Sequence, residues 1–275
     1  MSVRFDRALV RPPGQTFAAG LTSAGLGVPD LARALDQHAA YCRALERCGL
    51  EVVRLEPDSG HPDSTFVEDA ALVVGDRALL TRPGAASRRG EVAALAPALS
   101  RYFPRLGRIE APGTLDAGDV CETERLVLVG RSQRTNDEGI RQLGAWLAPA
   151  GLPLAVIEVR DLPGCLHLKS GLAHLGGDRL AVVDELSSHP ALAGFQRIRV
   201  EAAEAYAANC VRVNDRVLIA DGHPRLRAAL EALGYALEAL DMSEYRKMDG
   251  GLSCLSLRLP VSSSIQEPSA RTAMR

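Results

Sequence analysis

Short runs of alternating apolar and polar residues recur along the chain in pairs, and each pair is joined by a tight polar turn. The first pair, DAALVVGDRALLTRP, turns at residues 75–76, and GDVCETERLVLVG turns at 123–124. Two further pairs turn at 177–178 and 214–215. Alternation with a period of two predicts half-buried strands, and Gly, Asn and Asp tolerate the positive φ of tight turns. The pattern therefore predicts four β-hairpins.

Segments with helical periodicity follow most of these hairpins. The apolar residues of SRRGEVAALAPALSRYF, TNDEGIRQLGAWLAPAG and PRLRAALEALG recur as they do on one face of an α-helix. A short apolar strand then follows, such as RIEAP, PLAVIEVRD or YALEALD. The order strand–strand–helix–strand thus repeats at intervals of roughly 37 to 54 residues, a period typical of repeat architectures.

The two ends of the sequence complete the series. RFDRALVRPP and GGLSCLSLRLP each supply one strand, and the two can pair as a fifth hairpin with a helix over about 29–48. Radial closure suits such units because it removes exposed sheet edges. We predict an α/β fold over residues 1–260, a five-bladed propeller of ββαβ units around a central channel, and a disordered polar tail over 261–275. The alternative is two α/β domains divided near residue 150.

Composition narrows the possible functions. The 275 residues are 47% hydrophobic and carry a formal net charge of −2, which argues against a nucleic-acid partner. We find no run of the roughly 18 apolar residues that span a bilayer, so we expect no membrane partner. An apolar signal-peptide core is also missing near the N-terminus. The six cysteines are dispersed without metal-ligand spacing, so we expect free thiols, no metal and a cytoplasmic protein.

Acidic residues and one histidine stand close to predicted strands. Glu68 and Asp69 enter the apolar run AALVV, where two carboxylates need cationic partners, and a cationic substrate is one such partner. Asp116 and Asp119 stand among small residues in APGTLDAGDV, where ordinary turn acids are equally common. His167 lies between leucines in a predicted apolar strand, and a hydrogen-bonded core histidine is the more frequent explanation of such a position.

Two arginines and one cysteine complete the set of candidates. Arg88 and Arg134 stand at predicted helix starts, where their charge opposes the helix dipole. Solvation explains either one alone, whereas binding a carboxylate explains both. Cys254 begins the last predicted strand, and such a cysteine is usually a core residue. The preceding pair Gly250-Gly251 suggests instead that the backbone approaches a ligand closely there.

Closure of the propeller would gather these residues at one end of the channel. A thiolate can attack an electrophilic carbon, a histidine can transfer protons, and a carboxylate can orient the histidine. The remaining acids suit a cationic group and the arginines suit a carboxylate. The sequence therefore predicts a small zwitterionic substrate, and arginine derivatives fit this description.

Eight motifs in order resemble the dimethylarginine dimethylaminohydrolase family, which belongs to the guanidine-modifying pentein superfamily. They are GLTSAGLGVPD, PDSTFVED, TRPGAASRRGE, GTLDAGDV, RTNDEG, LHLKSGLAHL, YAANC and MSEYRKMDGGLSC, and they span most of residues 20–259. The resemblance implies a five-bladed α/β propeller (pentein). It also implies hydrolysis of N-omega-methylated arginine to citrulline and a methylamine, through a covalent thiouronium and without a cofactor.

The resemblance also implies a role for each matching residue. Cys254 is the expected nucleophile, His167 the general acid and base, and Asp116 the acid that orients the histidine, at a position where some members carry Glu. The expected substrate contacts are the lid residue Leu21, Asp63 at the amino-acid end, the guanidinium pair Glu68 and Asp69, the carboxylate ligands Arg88 and Arg134, and the backbone of Met248. We interpret YAANC, around Cys210, as packing.

Two alternatives share this pocket. An arginine deiminase performs the same chemistry on unmethylated arginine, but such enzymes usually carry a helical insertion, and we find no spare helical block between the repeats. A non-catalytic propeller could bind arginine derivatives, although the joint presence of Cys254, His167 and Asp116 argues against it. In either case we expect a monomer or a homodimer.

Overall fold

A computed structural model describes residues 3–261, so the predicted tail lies outside the described residues except for Val261. Within this range fifteen strands form five three-stranded sheets. The strands are β1 (Phe5–Val10), β2 (Glu51–Arg54), β3 (Ala71–Val74), β4 (Arg77–Leu80), β5 (Leu106–Arg108), β6 (Val120–Glu122), β7 (Val127–Arg131), β8 (Leu154–Glu158), β9 (Leu172–His174), β10 (Arg179–Val183), β11 (Gln196–Val200), β12 (Val211–Val213), β13 (Arg216–Ala220), β14 (Ala236–Leu240) and β15 (Leu257–Pro260). The α-helices are α1 (Leu31–Arg47), α2 (Arg89–Leu99), α3 (Asp137–Leu147), α4 (Leu168–Gly171), α5 (Pro224–Ala232) and α6 (Ser243–Arg246).

Every sheet has the same arrangement of strands. In the sheet β3-β4-β5, β4 pairs antiparallel with β3 and parallel with β5, and helix α2 supplies the crossover that the parallel pair needs. The sheets β6-β7-β8, β9-β10-β11 and β12-β13-β14 repeat this order. In the last sheet β15 pairs antiparallel with β1, which pairs parallel with β2. The predicted repeat and the fifth hairpin formed by both ends of the sequence are confirmed.

The first strand of each sheet faces a central channel. Residues of β3, β6, β9, β12 and β15 all line one long cavity. Strand β3 contacts β15, and β9 contacts both β6 and β12. Clusters of buried apolar side chains also extend from one sheet into the next, as where Leu128, Leu180 and Val217 share one cluster. The protein is therefore a five-bladed α/β propeller, as predicted.

A short helical turn precedes each inner strand, and several polar candidates lie on these turns or directly before them. The 3₁₀ turns are Val67–Ala70, Ala117–Asp119, Ala202–Ala208 and Ser253–Leu255, and α4 takes the same place in the fourth blade. The predicted apolar strand around His167 is therefore wrong, because His167 is the N-cap of α4. There His167 and Ser170 hydrogen-bond reciprocally, which favours a helical turn over an extended strand.

Other boundaries also differ from the prediction. Arg134 lies in the loop before α3, because the side chain of Asn136 accepts a hydrogen bond from the Gly139 N–H and so caps the helix two residues later. In the fourth blade only the 3₁₀ turn Pro190–Leu192 stands between β10 and β11. None of the helices within residues 3–261 has the length and apolar character that a membrane span requires.

Candidate active site

A cavity lies among the turns that precede the inner strands. Eight of the predicted site residues line it: Leu21, Asp63, Asp69, Arg88, Arg134, His167, Met248 and Cys254. Asp116 reaches this group through His167, whereas Glu68 lines the long channel cavity instead. The fold therefore gathers residues from positions 21 to 254 of the sequence around one space.

His167 is buried between two carboxylates. Its Nε2 lies 3.0 Å from Asp116 Oδ2, and its Nδ1 lies 3.9 Å from Asp69 Oδ1. Burial alone lowers the pKa of the imidazole, but the charges of Asp69 and Asp119 and the hydrogen bond with Asp116 outweigh it and raise the pKa to about 9. His167 is therefore protonated at neutral pH.

Asp69 is held as a carboxylate by several donors. Arg88 Nη1 donates to Asp69 Oδ2 at 2.7 Å, and the Gly118 N–H donates to Oδ1 at 3.0 Å. Burial favours the neutral acid, yet the charges of His167 and Arg88 prevail and lower the pKa of Asp69 to about 2. A side chain at Gly118 would collide with both Asp69 and His167, which explains why glycine occupies that position.

Arg88 is more fully committed than its expected role as a carboxylate ligand suggests. Besides Asp69, it binds Glu91 through Nε at 3.0 Å and Nη2 at 2.9 Å. All three side chains are buried. Arg88 therefore fixes Asp69 at the wall of the cavity, and within residues 3–261 one of its two Nη1 hydrogens has no acceptor.

Cys254 lies on the 3₁₀ turn Ser253–Leu255 with only 9% of its surface exposed. Burial and the charges of Asp69 and Glu68 raise the pKa of the thiol to about 12. The residue is thus a thiol at neutral pH, and a positive charge brought next to Asp69 would favour the thiolate.

Gly250 and Gly251 are tightly packed, and Gly250 also lines the cavity. A side chain at Gly250 would collide with the Phe66 ring, and one at Gly251 would lie 2.5 Å from Asn209 Oδ1. The two glycines therefore permit close packing against protein groups, and at Gly250 the atoms that line the cavity are backbone atoms. Asn209 Oδ1 accepts from the Ser253 N–H at 2.9 Å.

Asn209 was missed by the sequence analysis, which interpreted YAANC as packing. Its Nδ2 donates to Lys169 O at 2.8 Å and lies 3.2 Å from Ser253 Oγ. The side chain thus joins helix α4, which His167 caps, to the turn that carries Cys254. The signal in the sequence was the amide of Asn209 in YAANC, a motif otherwise made of small and apolar residues.

Glu68 does not reach the cavity that holds Cys254. Its Oε1 accepts from Lys169 Nζ and from Arg258 Nη2, both at 2.8 Å. Two cations of the protein thus bind Oε1, whereas Glu68 Oε2 is buried without a hydrogen-bond partner within residues 3–261. The expected contact of Glu68 with a substrate guanidinium stays a prediction. Arg258 Nη1 also donates to the carbonyl oxygens of Ser253 and Ser256, so this unpredicted arginine braces the turn of Cys254.

Another part of the cavity wall carries the residues that we expect to bind the amino-acid end of the substrate. Asp63 accepts the Leu21 N–H at 3.1 Å, and the Leu21 side chain is 41% exposed. Arg134 Nη1 is buried without a hydrogen-bond partner anywhere in residues 3–261. A buried, unpaired guanidinium N–H facing a cavity is costly, so it indicates a missing acceptor.

Two aspartates and His167 have the composition of a metal site. Asp69, Asp116 and His167 offer ligand atoms that all lie within 4.8 Å of one another. However, Asp116 Oδ2 is bonded to the imidazole and Asp69 Oδ2 to Arg88. These commitments favour proton transfer over metal binding.

The chain is similar to proteins of known function over nearly all of its length. No family model matches it. It is 45% identical over 255 residues to N(G),N(G)-dimethylarginine dimethylaminohydrolase of Pseudomonas aeruginosa, covering 92% of this chain and 99% of that protein. The corresponding enzyme of Streptomyces coelicolor is 37% identical, with 92% of this chain and 96% of that protein covered.

A solved structure is similar to this chain over the same range. The Pseudomonas aeruginosa enzyme, as a cysteine-to-serine variant in complex with citrulline, superposes with a TM-score of 0.90 at 44% identity, covering 93% of this chain and 100% of that one. Sequence and fold thus agree over the whole propeller. The chain belongs to the dimethylarginine dimethylaminohydrolase family.

Proposed function

We propose that this protein hydrolyses N-omega-methylated arginine to citrulline and a methylamine, with Cys254 as the nucleophile. The observation that carries the proposal is the cavity itself, which combines the Cys254 thiol, the protonated His167 and the anionic Asp69 with an unpaired Arg134 N–H. Relatives that cover the whole propeller are named for this reaction.

The charges of the cavity match those of the substrate. Asp69 suits the guanidinium cation, and Asp63 suits the α-amino group. Arg134 suits the α-carboxylate, with the remaining Nη1 hydrogen of Arg88 as a second donor. Such binding at both ends would hold the guanidinium carbon against Cys254. Met248 is buried beside the cavity, and in this proposal its backbone contacts the substrate.

The substrate itself activates the nucleophile in this scheme. Burial and the charge of Asp69 together raise the pKa of the Cys254 thiol to about 12. A bound guanidinium offsets that charge, and the thiol releases its proton to solvent as the cation enters. Enclosure by the loop that carries Leu21 excludes water and strengthens these interactions.

His167 handles the remaining protons. The Cys254 thiolate adds to the guanidinium carbon, and the protonated imidazole gives its proton to the departing methylamine nitrogen as the C–N bond breaks. This leaves a thiouronium on sulfur and a neutral imidazole. His167 then takes one proton from the attacking water. The second adduct collapses to citrulline as its hydroxyl proton passes to the departing sulfur, which restores the Cys254 thiol. Asp116 keeps the ring oriented through its bond to Nε2.

We also propose the setting of the reaction. The six cysteines are all free within the described part of the chain, which suits a reducing cytoplasm and a thiol nucleophile. The scheme uses only side chains and water, so it needs no cofactor. The cavity is formed within one chain, and a monomer or a homodimer is therefore sufficient.

A substrate panel tests the proposal against its alternatives. Purified protein is incubated with dimethylarginine, monomethylarginine, arginine and agmatine, and citrulline and released amine are quantified, with Cys254→Ser as the control. We expect citrulline and dimethylamine in equal amounts, and the highest kcat/KM for methylated arginine. Faster turnover of arginine would identify a deiminase, and tight binding without any product would identify a non-catalytic binder.

A further inference from the structure

Asp119 is a fully buried carboxylate that the proposed reaction does not use. It lies three residues after Asp116 at the end of a 3₁₀ turn, and its side chain has 0% exposure. A buried acid needs donors, and Asp119 has three within 2.9 Å. Each of the three leads to a different residue of the candidate active site.

The first connection reaches His167. Asp119 Oδ1 accepts the backbone N–H of Leu168 at 2.9 Å, and Leu168 directly follows His167 as the first residue of helix α4. The carboxylate therefore fixes the backbone from which the imidazole projects. A side chain at Gly130 would lie 2.7 Å from the same oxygen, so the glycine leaves room for this bond.

The second connection reaches Arg134. Asp119 Oδ2 accepts the Ser132 hydroxyl at 2.6 Å. Ser132 Oγ in turn accepts the backbone N–H groups of Arg134 at 2.9 Å and Thr135 at 3.1 Å. These two bonds use both lone pairs of the serine oxygen, so its partner must be an acceptor. A carboxylate at position 119 meets this requirement.

The third connection reaches Asp116. Asp119 Oδ2 also accepts the Thr135 hydroxyl at 2.6 Å, and Thr135 Oγ1 lies 3.2 Å from the backbone N–H of Asp116. One carboxylate thus ties together the backbone at Asp116, at Arg134 and beside His167.

We propose that Asp119 is a positioning residue that sets the relative placement of His167, Asp116 and Arg134, and that Ser132 and Thr135 transmit this placement separately to the two ends of the substrate. The proposal rests on the proposed function for the roles of these three residues. The charge of Asp119 adds to this positioning effect, because Asp69, Asp116 and Asp119 are the anions that act on His167 and favour the imidazolium.

The separate connections permit a test that general destabilisation cannot imitate. Ser132→Ala removes the connection to Arg134, so KM should rise with kcat nearly unchanged. Thr135→Val removes the connection to Asp116, so kcat should fall with KM nearly unchanged. Asp119→Asn places an amide opposite the Ser132 and Thr135 hydroxyls, whose oxygens already accept backbone N–H groups. Both kcat and KM should therefore worsen, with kcat lower by up to about 10²-fold.

Thr123→Val is the matched control. It removes a buried threonine hydroxyl in the same blade, at the other end of β6, where the hydroxyl bonds Leu126 O at 2.7 Å. We expect it to change the melting temperature but neither kinetic parameter. The proposal would be overturned if Ser132→Ala and Thr135→Val each lowered kcat and raised KM to the same extent. Unchanged kinetics in Asp119→Asn would also overturn it.

A readout without turnover separates this proposal from the proposed function. NMR titration of the His167 ring should give a lower pKa in Asp119→Asn than in the wild type, whether or not methylarginine is hydrolysed. An inactive wild type with this shift would refute the proposed function but not the positioning role. An unchanged His167 pKa in the folded variant would contradict the role of Asp119.

Discussion

His167 Nε2 and Asp116 Oδ2 lie 3.0 Å apart, and both side chains are buried. This bond leaves Nδ1 as the ring nitrogen nearer Asp69. The proton that leaves for the substrate in the proposed reaction is therefore the one on Nδ1, while Asp116 holds the other side of the ring. Of the two aspartates that the sequence left open, Asp116 is the one that contacts the imidazole.

Asp116→Asn should therefore lower kcat strongly, by about 10²-fold or more, because the amide removes the charge and can favour the wrong tautomer. Asp116→Glu should retain part of the activity. With the pKa of His167 raised to about 9, activity of the wild type should fall as pH rises through that value. In Asp116→Asn this alkaline decline should begin at lower pH. A kcat close to that of the wild type would refute the orienting role.

The Cys254 thiol should respond to the charge of Asp69. Because burial and that charge raise the thiol pKa to about 12, Asp69→Asn should lower it. The pH dependence of alkylation by iodoacetamide measures the change, and Cys254→Ser gives the background of the other cysteines. Asp69→Asn should also lose turnover, since the guanidinium of the substrate loses its counter-ion. An unchanged alkylation profile would contradict the proposed activation.

Arg134 and Arg88 should behave differently when replaced. Arg134→Ala should fold normally and raise KM for methylarginine, and wild-type protein should process agmatine poorly because it lacks the carboxylate. Arg88→Ala should lose about 3–5 kcal/mol of unfolding free energy, since it leaves Asp69 and Glu91 buried without their cation. Urea unfolding and steady-state kinetics distinguish the two effects. Efficient hydrolysis of agmatine would exclude a carboxylate contact.

The loop around Leu21 should become more ordered when the site is filled. Three contacts hold it: Leu21 N–H to Asp63, Ser23 N–H to Asp249 at 2.6 Å, and Thr22 Oγ1 to Lys247 O at 2.8 Å. Hydrogen exchange at residues 18–27 should slow with citrulline and speed up in Asp249→Ala, which loses the acceptor for Ser23. Exchange that is insensitive to citrulline would argue against a lid.

The propeller could be predicted from sequence because its blades repeat a local pattern. Alternation and turn residues marked the hairpins, and the two terminal strands matched that pattern as β1 and β15. Backbone hydrogen bonds of single turns are not visible in such patterns, so His167 was placed in a strand although it caps α4. Partners distant in sequence were equally hidden, and the sequence therefore did not predict Lys169 and Arg258 beside Glu68.

The covalent intermediate tests the central claim most directly. Protein mixed with dimethylarginine is quenched in acid within milliseconds to seconds, and the peptide that carries Cys254 is analysed by mass spectrometry. The account predicts a transient adduct on Cys254 with the mass of the substrate less dimethylamine, formed and lost at rates compatible with citrulline release, and not formed in Cys254→Ser. Citrulline release by the wild type without any such adduct, or turnover by Cys254→Ser near the wild-type rate, would contradict it.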